Sequence, residues 1–435
     1  ATLPIPAAGC MAQMCQFLSN PKCLQHDVEQ TEEVMYPRKP QPFKDWLLVN
    51  SDSEAFERVG LSIDAPDILE VTVFGATGMQ GTSVVKGLLA DTRKSYKIRA
   101  TTRHPDSLKA KAVQSLDPAR ITLVEADYDD IQSCHDAVKG VHGAFLVTDF
   151  HGGAKMNAEI EERHAKNVID ACEASHTVKH LVFSTMENVE EMNAKFNLGL
   201  KKSSTSDEDN YKTSPLPQFD AKARAAAYAR TKKISVTYVL MPCYSEMFFE
   251  LLKPERRRDP TTGKEKLIMT VPLKDDTKVM CMSVEDLGPA VANIFDSYQC
   301  YAGHEIGLVT EFVTVKEAAE IIQDVFRKDE NEEIQDDDDE VQESKRSRLT
   351  TTRNIDLDEI HLEEDVRKVD QWIETKDTYM KDLGQIFKYM AHTDAVKERR
   401  SVAKTLKLLP NARSLRLWVE QNKDNVSFRE KLGLR

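Results

Sequence analysis

Short apolar runs alternate with segments of helical apolar spacing from residue 69 to about residue 241. The runs predict strands over 69–74, 96–101, 121–126, 143–148, 180–184 and 236–241. The intervening segments predict helices over 82–91, 107–115, 131–138, 157–175 and 221–232. Strands that are apolar on both faces and separated by helices belong to a parallel sheet covered on both sides. Right-handed crossovers then give an α/β fold of the doubly wound, Rossmann type. Its ligand crevice lies at the carboxyl ends of the strands. No internal repeat is visible.

Between the first strand and the first helix stand Gly75, Ala76, Thr77, Gly78, Met79, Gln80 and Gly81, a GxxGxxG spacing. Each glycine has a physical task in a dinucleotide-binding turn. Gly75 turns the chain sharply off the strand, Gly78 lets backbone N–H groups approach a pyrophosphate, and Gly81 lets the helix pack close to the sheet. The phosphates then meet the positive end of the helix.

The second strand ends in Arg103-His104-Pro105, where an NAD-preferring site carries a carboxylate for the ribose 2′-hydroxyl. A guanidinium there suits a 2′-phosphate in charge and shape, which favours NADP(H). The third strand leads into Asp127-Tyr128-Asp129-Asp130. A carboxylate at this point can accept from an adenine amino group, and Asp129 or Asp130 can equally cap the next helix. Short-chain reductases place a Tyr four residues before a Lys, so that the phenol protonates a carbonyl and the ammonium lowers its pKa. Here Lys222 is present and Gln218 stands at the tyrosine position. Tyr211, Tyr228 and Tyr244 are off the spacing, and Ser184 or Thr185 helps little without an acid. The binding parts are present, the proton-transfer part is missing, and no catalytic residue is assigned.

The 435 residues suffice for one large α/β domain with additions. A formal net charge of −13 argues against nonspecific nucleic-acid binding. The 8 cysteines show neither a CxxC pair nor zinc spacing and read as reduced thiols of a cytoplasmic protein, with no metal site. No apolar run is long enough for a membrane span, and no secretory signal is visible. The leading Ala fits either removal of an initiator Met or cleavage of a transit peptide.

Residues 1–68 precede the first strand as an extension. Met11, Met14, Cys15, Phe17 and Leu18 share one face of a short helix, and residues 36–46 form a proline-spaced aromatic segment. An arm packed on its own domain and a docking arm for a protein partner, through residues 1–60, both fit. Residues 197–214 read as a mobile loop. Residues 327–365 hold a run of like charges, expected to be disordered.

Taken together, Gly75 to Gly81, Thr102 to Pro105, Leu146 to Thr148, Phe183 to Asn188, Phe219 to Lys222, Met241 to Glu246, Met282 to Pro289, His304 to Leu308 and Leu408 to Gln421 resemble the NmrA-like family. These are atypical short-chain dehydrogenase relatives known as NADP(H)-sensing regulators. The resemblance implies a Rossmann domain over 69–250, a smaller lobe over 251–326 and C-terminal helices over 366–435, with 254–282 and 303–325 building the lobe. It implies NADP(H) held by the loop Gly75, Ala76, Thr77, Gly78, Met79 and Gln80. Arg103 meets the 2′-phosphate with His104 and Ser107 nearby, and Asp127 meets the adenine. Thr148 and Asp149 line the ribose path, Lys222 the nicotinamide ribose and Tyr244 the nicotinamide pocket. Three departures fall at the nicotinamide half: Gln218 for a frequent His, Met247 for an Asn, and no aromatic at the expected place around His151-Gly152-Gly153.

Three functions follow. The first is an enzymatically silent NADP(H)-binding redox sensor or scaffold. The second is a structural component of a larger assembly, with the inherited fold as a rigid block and room for a homodimer. The third is a weak NADPH-dependent reductase using another acid.

Overall fold

The computed structural model describes residues 69–203, 214–246, 255–258, 260–261, 265–271, 273–274, 276–332, 360–364, 371, 374 and 378–432. The arm, Tyr211, Met247 and the most acidic stretch lie outside them. The chain divides into two compact units, residues 1–67 with 296–302, and residues 68–295 with 303–435. Of the first, only 296–302 is described, and it includes the helical turn Tyr298–Tyr301. The second joins the nucleotide-fold residues and the smaller lobe in one body.

Seven parallel strands form the main sheet: β1 (Glu70–Val73), β2 (Lys97–Thr102), β3 (Ile121–Glu125), β4 (Gly143–Leu146), β5 (His180–Thr185), β6 (Val236–Leu240) and, far along the chain, Glu305–Gly307. Their order is β3-β2-β1-β4-β5-β6 followed by Glu305–Gly307. The chain runs one way from β1 to β3 and the other way from β4 onward, so the topological switch point falls between β1 and β4. Val71, Val73, Phe145, Leu146, Leu181 and Phe183 are wholly buried. Continuous burial of these strands is what a doubly covered sheet requires.

The connecting helices are α1 (Met79–Ala90), α2 (Leu108–Gln114), α3 (Ile131–Val138), α4 (Ala158–Ala174), α5 (Val189–Phe196) and α6 (Pro217–Ala229). Side-chain N-caps from Ser107, Asp130, Asn157 and Asn188 start α2 to α5. Helix α1 starts at Gly78 with no side-chain cap. Its first-turn N–H groups are thus left to a ligand or solvent.

Smaller sheets complete the body. One joins β7 (Cys243–Tyr244), β10 (Lys278–Met282) and β12 (Glu311–Thr314). The other joins β8 (Glu255–Arg258), β9 (Glu265–Val271) and β13 (Ile360–Glu364), with Glu305–Gly307 taking the number β11. Helices α7 (Leu287–Asp296), α9 (Val315–Glu332), α10 (Thr378–Met390), α11 (Thr393–Lys397), α12 (Val402–Leu408), α13 (Leu415–Asn422) and α14 (Val426–Lys431) follow in chain order, α8 being the Tyr298–Tyr301 turn. Trp418 and Phe428 cross edge to face at 5.0 Å in the core that α9 and α13 share.

Two sequence expectations need correction. Residues 303–325 do not lie wholly in the lobe, because β11 pairs with Tyr238–Leu240 and extends the main sheet by one strand. Three residues are too few for a hydrophobic period to show. Residues 327–365 are not disordered throughout, since α9 runs to Glu332 and β13 pairs in parallel with β9 over five positions. Helix continuation orders 327–332 and strand pairing orders 360–364; residues 333–359 lie outside the described residues. Of the expected mobile loop over 197–214, residues 204–213 lie outside the described residues. Leu198 and Leu200 are buried, and Asn193 brackets Leu200 by accepting from its N–H at 3.1 Å and donating to its carbonyl at 3.2 Å.

Glycine permits two close approaches between distant elements. A Cβ on Gly288 would collide with the Ser83 carbonyl and one on Gly87 with the Gly288 backbone, so α1 and α7 cross in near backbone contact. A Cβ on Gly307 would meet the Arg399 carbonyl. There the C-terminal segment plugs into the sheet. Arg400, wholly buried, donates to Glu187 at 2.8 Å, to Leu240 O at 2.8 Å, to Leu308 O at 3.0 Å and to Met241 O at 3.0 Å.

Candidate cofactor site

At the carboxyl edge of the sheet, over the switch point, lies a cavity of about 860 Å³. Of the residues expected to hold a nucleotide, Gly75, Thr77, Gly78, Met79, Gln80, Arg103, His104, Ser107, Asp127, Thr148, Asp149, Lys222 and Tyr244 all line it. Ala76 does not. Its side chain is buried, and its carbonyl accepts from Thr82 Oγ1 at 2.9 Å, tying the loop to α1.

The glycine loop is built as the spacing requires. Gly75 has φ +73°, and a Cβ there would lie 2.9 Å from Val147 Cγ1. A Cβ on Gly81 would strike the Gly75 carbonyl, while Gly78 has nothing closer than 3.4 Å. The tight positions seat the loop on β4 and α1, and the roomier one faces the ligand space.

On the β2 side, Arg103 and His104 are exposed. Ser107 has a second task as the α2 cap, accepting from Ala110 N at 3.2 Å. Asp127 accepts from Asp129 N at 3.0 Å. Its two neighbours divide the other duties weighed for the run. Asp130 caps α3, and Asp129 pairs with Arg163 at 2.7 Å and lies 3.1 Å from His164 Nε2.

On the β4–β6 side the site turns inward. Asp149 accepts from Gly152 N at 3.0 Å and Gly153 N at 2.9 Å, so its carboxylate shapes the 149–154 turn. That turn brings Phe150, buried, and His151 onto the cavity wall. Burial, then the charge of Lys222, holds the His151 imidazole below its usual 6.5. Tyr128 donates to Val147 O at 2.9 Å, and burial pushes its phenol far up. Tyr244 accepts from Gln80 Nε2 at 2.6 Å. Burial pushes its phenol up to about 12 against the opposing pull of that hydrogen bond.

Sequence reasoning missed Glu161. It is wholly buried on α4 and ion-paired with Lys222 Nζ. The same carboxylate oxygen accepts from Thr148 Oγ1 at 2.8 Å. A signal existed: Ala158, Glu161, Ala165, Val168 and Cys172 form the buried stripe of α4, and a lone acid on such a stripe calls for a partner. Thr185 fixes α6 from the other side, donating to Lys222 O at 2.9 Å. Gln218, one turn before Lys222, is 6% exposed and lines the cavity. Neither atom of its amide has a partner among the described residues. Helix α10 adds Leu383, Ile386 and Met390, which sequence reading did not connect to the site.

Among the described residues, no group of three or more His, Cys, Asp or Glu is placed to hold a metal, and no helix is long and apolar enough to cross a membrane.

A sequence model of the NmrA-like family matches residues 69–200 and 202–341, well over half of the chain. The protein belongs to the NmrA-like family. One curated member, an NmrA-like family domain-containing protein of Dictyostelium discoideum, is 27% identical over 260 residues, 60% of this chain and 78% of its own length. Another, the NmrA-like family domain-containing oxidoreductase malD of Malbranchea aurantiaca, is 32% identical over 246 residues, 52% of this chain and 65% of its own. Among solved structures, NmrA, described as a negative transcriptional regulator in complex with NADP, matches with TM-score 0.58 at 16% identity. The match covers 85% of this chain and 98% of that one. A Citrobacter triphenylmethane reductase complexed with NADP(H) matches with TM-score 0.54 at 15% identity, covering 81% and 99%. At such identities these structures establish the doubly wound fold.

Proposed function

We propose that this chain binds NADP(H) across the carboxyl edge of its sheet and uses the bound nucleotide as a signal or a structural element, without turning it over. One observation carries the second half of that reading. Gln218 stands where a short-chain reductase has its tyrosine, and the lysine that would activate a phenol there is committed to Glu161. The cavity's tyrosines do not substitute. Tyr128 spends its proton on Val147, and the Tyr244 phenol sits near 12, far from a useful acid at neutral pH.

The residues present fit the nucleotide. The crowded Gly75 and Gly81 hold the loop against α1, whose first-turn N–H groups have no side-chain cap and suit a pyrophosphate. Arg103 suits a 2′-phosphate, with His104 and Ser107 beside it on the cavity wall. Lys222 suits the nicotinamide ribose, and Asp127 the adenine. NADPH could supply a hydride there only to an acceptor that also met a proton donor; in this reading the chain's own part is to hold the nucleotide. The NADP and NAD complexes of NmrA support this reading by likeness of fold.

The test is NADPH oxidation by purified protein across a panel of quinones and aldehydes. The expected rate is that of buffer. A rate that vanishes in Lys222→Ala contradicts the silent reading.

A second reading, an NADPH-dependent reductase, is favoured by a relative named an oxidoreductase and by His151 on the cavity wall. It predicts turnover lost in His151→Ala. Independently, we propose residues 1–60 as the segment that meets a protein partner and ties the fold to a larger assembly. If their deletion leaves sedimentation in native extract unchanged, that idea fails.

A further inference from the structure

The cavity is chemically divided along the sheet. Toward β2 it carries Arg103, His104, Lys109 and Asp127; toward β5 and β6 Phe150, Met186, Phe219, Leu383, Ile386 and Met390 stand beside the neutral hydroxyls of Ser184, Thr185 and Tyr244 and the His151 ring. Phe219 is backed edge to face by Tyr389 at 6.1 Å, so this wall is packed from behind. The cation on this side, Lys222, is neutralised by Glu161. The Gln218 amide, 6% exposed, stands in this wall with donor and acceptor both unmatched among the described residues.

An unmatched buried amide is costly, on the order of 1–3 kcal/mol for each group. A site that carries such a group is adapted to a ligand that completes it. Its shape narrows the ligand class. An amide side chain presents N–H and C=O side by side, and its complement is a second amide edge, C=O beside N–H. The largely apolar wall disfavours a charged ligand, because the lysine on this side is already paired with Glu161.

We propose that the β5–β6 end of the cavity binds a neutral, largely apolar molecule carrying an amide or lactam edge, and that Gln218 reads that edge. The inference rests on the NADP(H) reading only in placing this ligand beside the nicotinamide end. Gln218 pairs donor to acceptor and acceptor to donor with the ligand, while α10 and Phe150 cover its apolar body. The residue that removed the reductase's acid thereby becomes a specificity device.

The probes are 2-quinolinone, a flat bicyclic lactam, and 2-methoxyquinoline, of the same outline but without the N–H. Each is titrated by calorimetry into the full-length protein with and without NADPH, using wild type and Gln218→Leu. The expected result is binding of the lactam, about 10- to 100-fold weaker in Gln218→Leu, with the methoxy compound weak throughout. NADPH affinity changes far less than lactam affinity, and thermal stability of free Gln218→Leu is equal or higher, because an unmatched polar group has gone. Equal binding of the two probes, or no binding of the lactam, overturns the proposal. A Gln218→Leu change that weakens NADPH as much as the lactam also overturns it, by assigning the amide to the nicotinamide carboxamide. Lactam binding without NADPH binding sinks the nucleotide reading and leaves this one standing.

Discussion

Lys222 on α6 and Glu161 on α4 form an ion pair at the floor of the cavity, the carboxylate wholly buried and its accepting oxygen shared with Thr148 Oγ1 at 2.8 Å. The pair closes the α4–α6 interface and fixes the lysine's charge at the site. A buried pair is weak evidence of net stabilisation, but breaking it by removing one partner is expensive. Lys222→Met is expected to destabilise by about 3–5 kcal/mol, since it leaves Glu161 charged and buried. The double change Glu161→Leu with Lys222→Met is expected to recover most of that loss. Urea unfolding of the four proteins of the cycle checks it, and additive single effects would show that the pair does not act as a unit.

Arg400 makes a parallel prediction away from the site. Its guanidinium satisfies Glu187 and three strand-end carbonyls at once, a fork that an ammonium cannot reproduce. Arg400→Met is expected to cost about 3–5 kcal/mol by stranding the buried carboxylate. Arg400→Lys is expected to rescue less than half of this. Denaturation midpoints decide, and full rescue by lysine would show that charge alone is needed.

Two glycines separate steric from conformational cost. Gly288→Ala drives a methyl into the Ser83 carbonyl at the α1–α7 crossing and is expected to cost at least about 3 kcal/mol. Gly140 has φ +77° with open space around it, so Gly140→Ala is expected to cost only about 1 kcal/mol of backbone strain. Similar losses of thermal stability in the two variants would refute the close crossing.

Asp382 gives a pH dependence. It is buried on α10, accepts from Ser203 Oγ at 3.3 Å, and burial pushes its carboxyl up to about 6 from an ordinary 3.8. The protonated form is the one the fold prefers. Its contribution is complete below pH 3.8 and is lost as pH rises through about 6. Asp382→Asn is therefore expected to match wild type near the acid end and to exceed it above pH 7 by ~1–3 kcal/mol. Thermal melts across that window check the sign, and a variant less stable at high pH would reverse it.

Much of this was legible in the sequence because it is local. Six strands and five helices follow from runs and periods within 69–241, and the loop from Gly75 to Gly81 carries its own geometry. Gln218 could be read as standing in place of the acid because its spacing from Lys222 fixes its place on one helix turn. Glu161, Phe150 and the α10 residues were not legible in the same way, since each joins the site only through tertiary packing across long stretches of chain. Strand β11 was too short to show a period. The order at 327–332 and 360–364 arises from helix continuation and strand pairing, which charge patterning does not encode.

The central claim is that the glycine loop and Arg103 form a working NADP(H) site. Calorimetric titration of NADPH and NADH into the purified protein, with Arg103→Ala alongside, tests it most directly. The account predicts NADPH binding much tighter than NADH binding, with Arg103→Ala erasing most of that preference. Failure to bind either nucleotide would contradict it and leave the loop as inherited architecture.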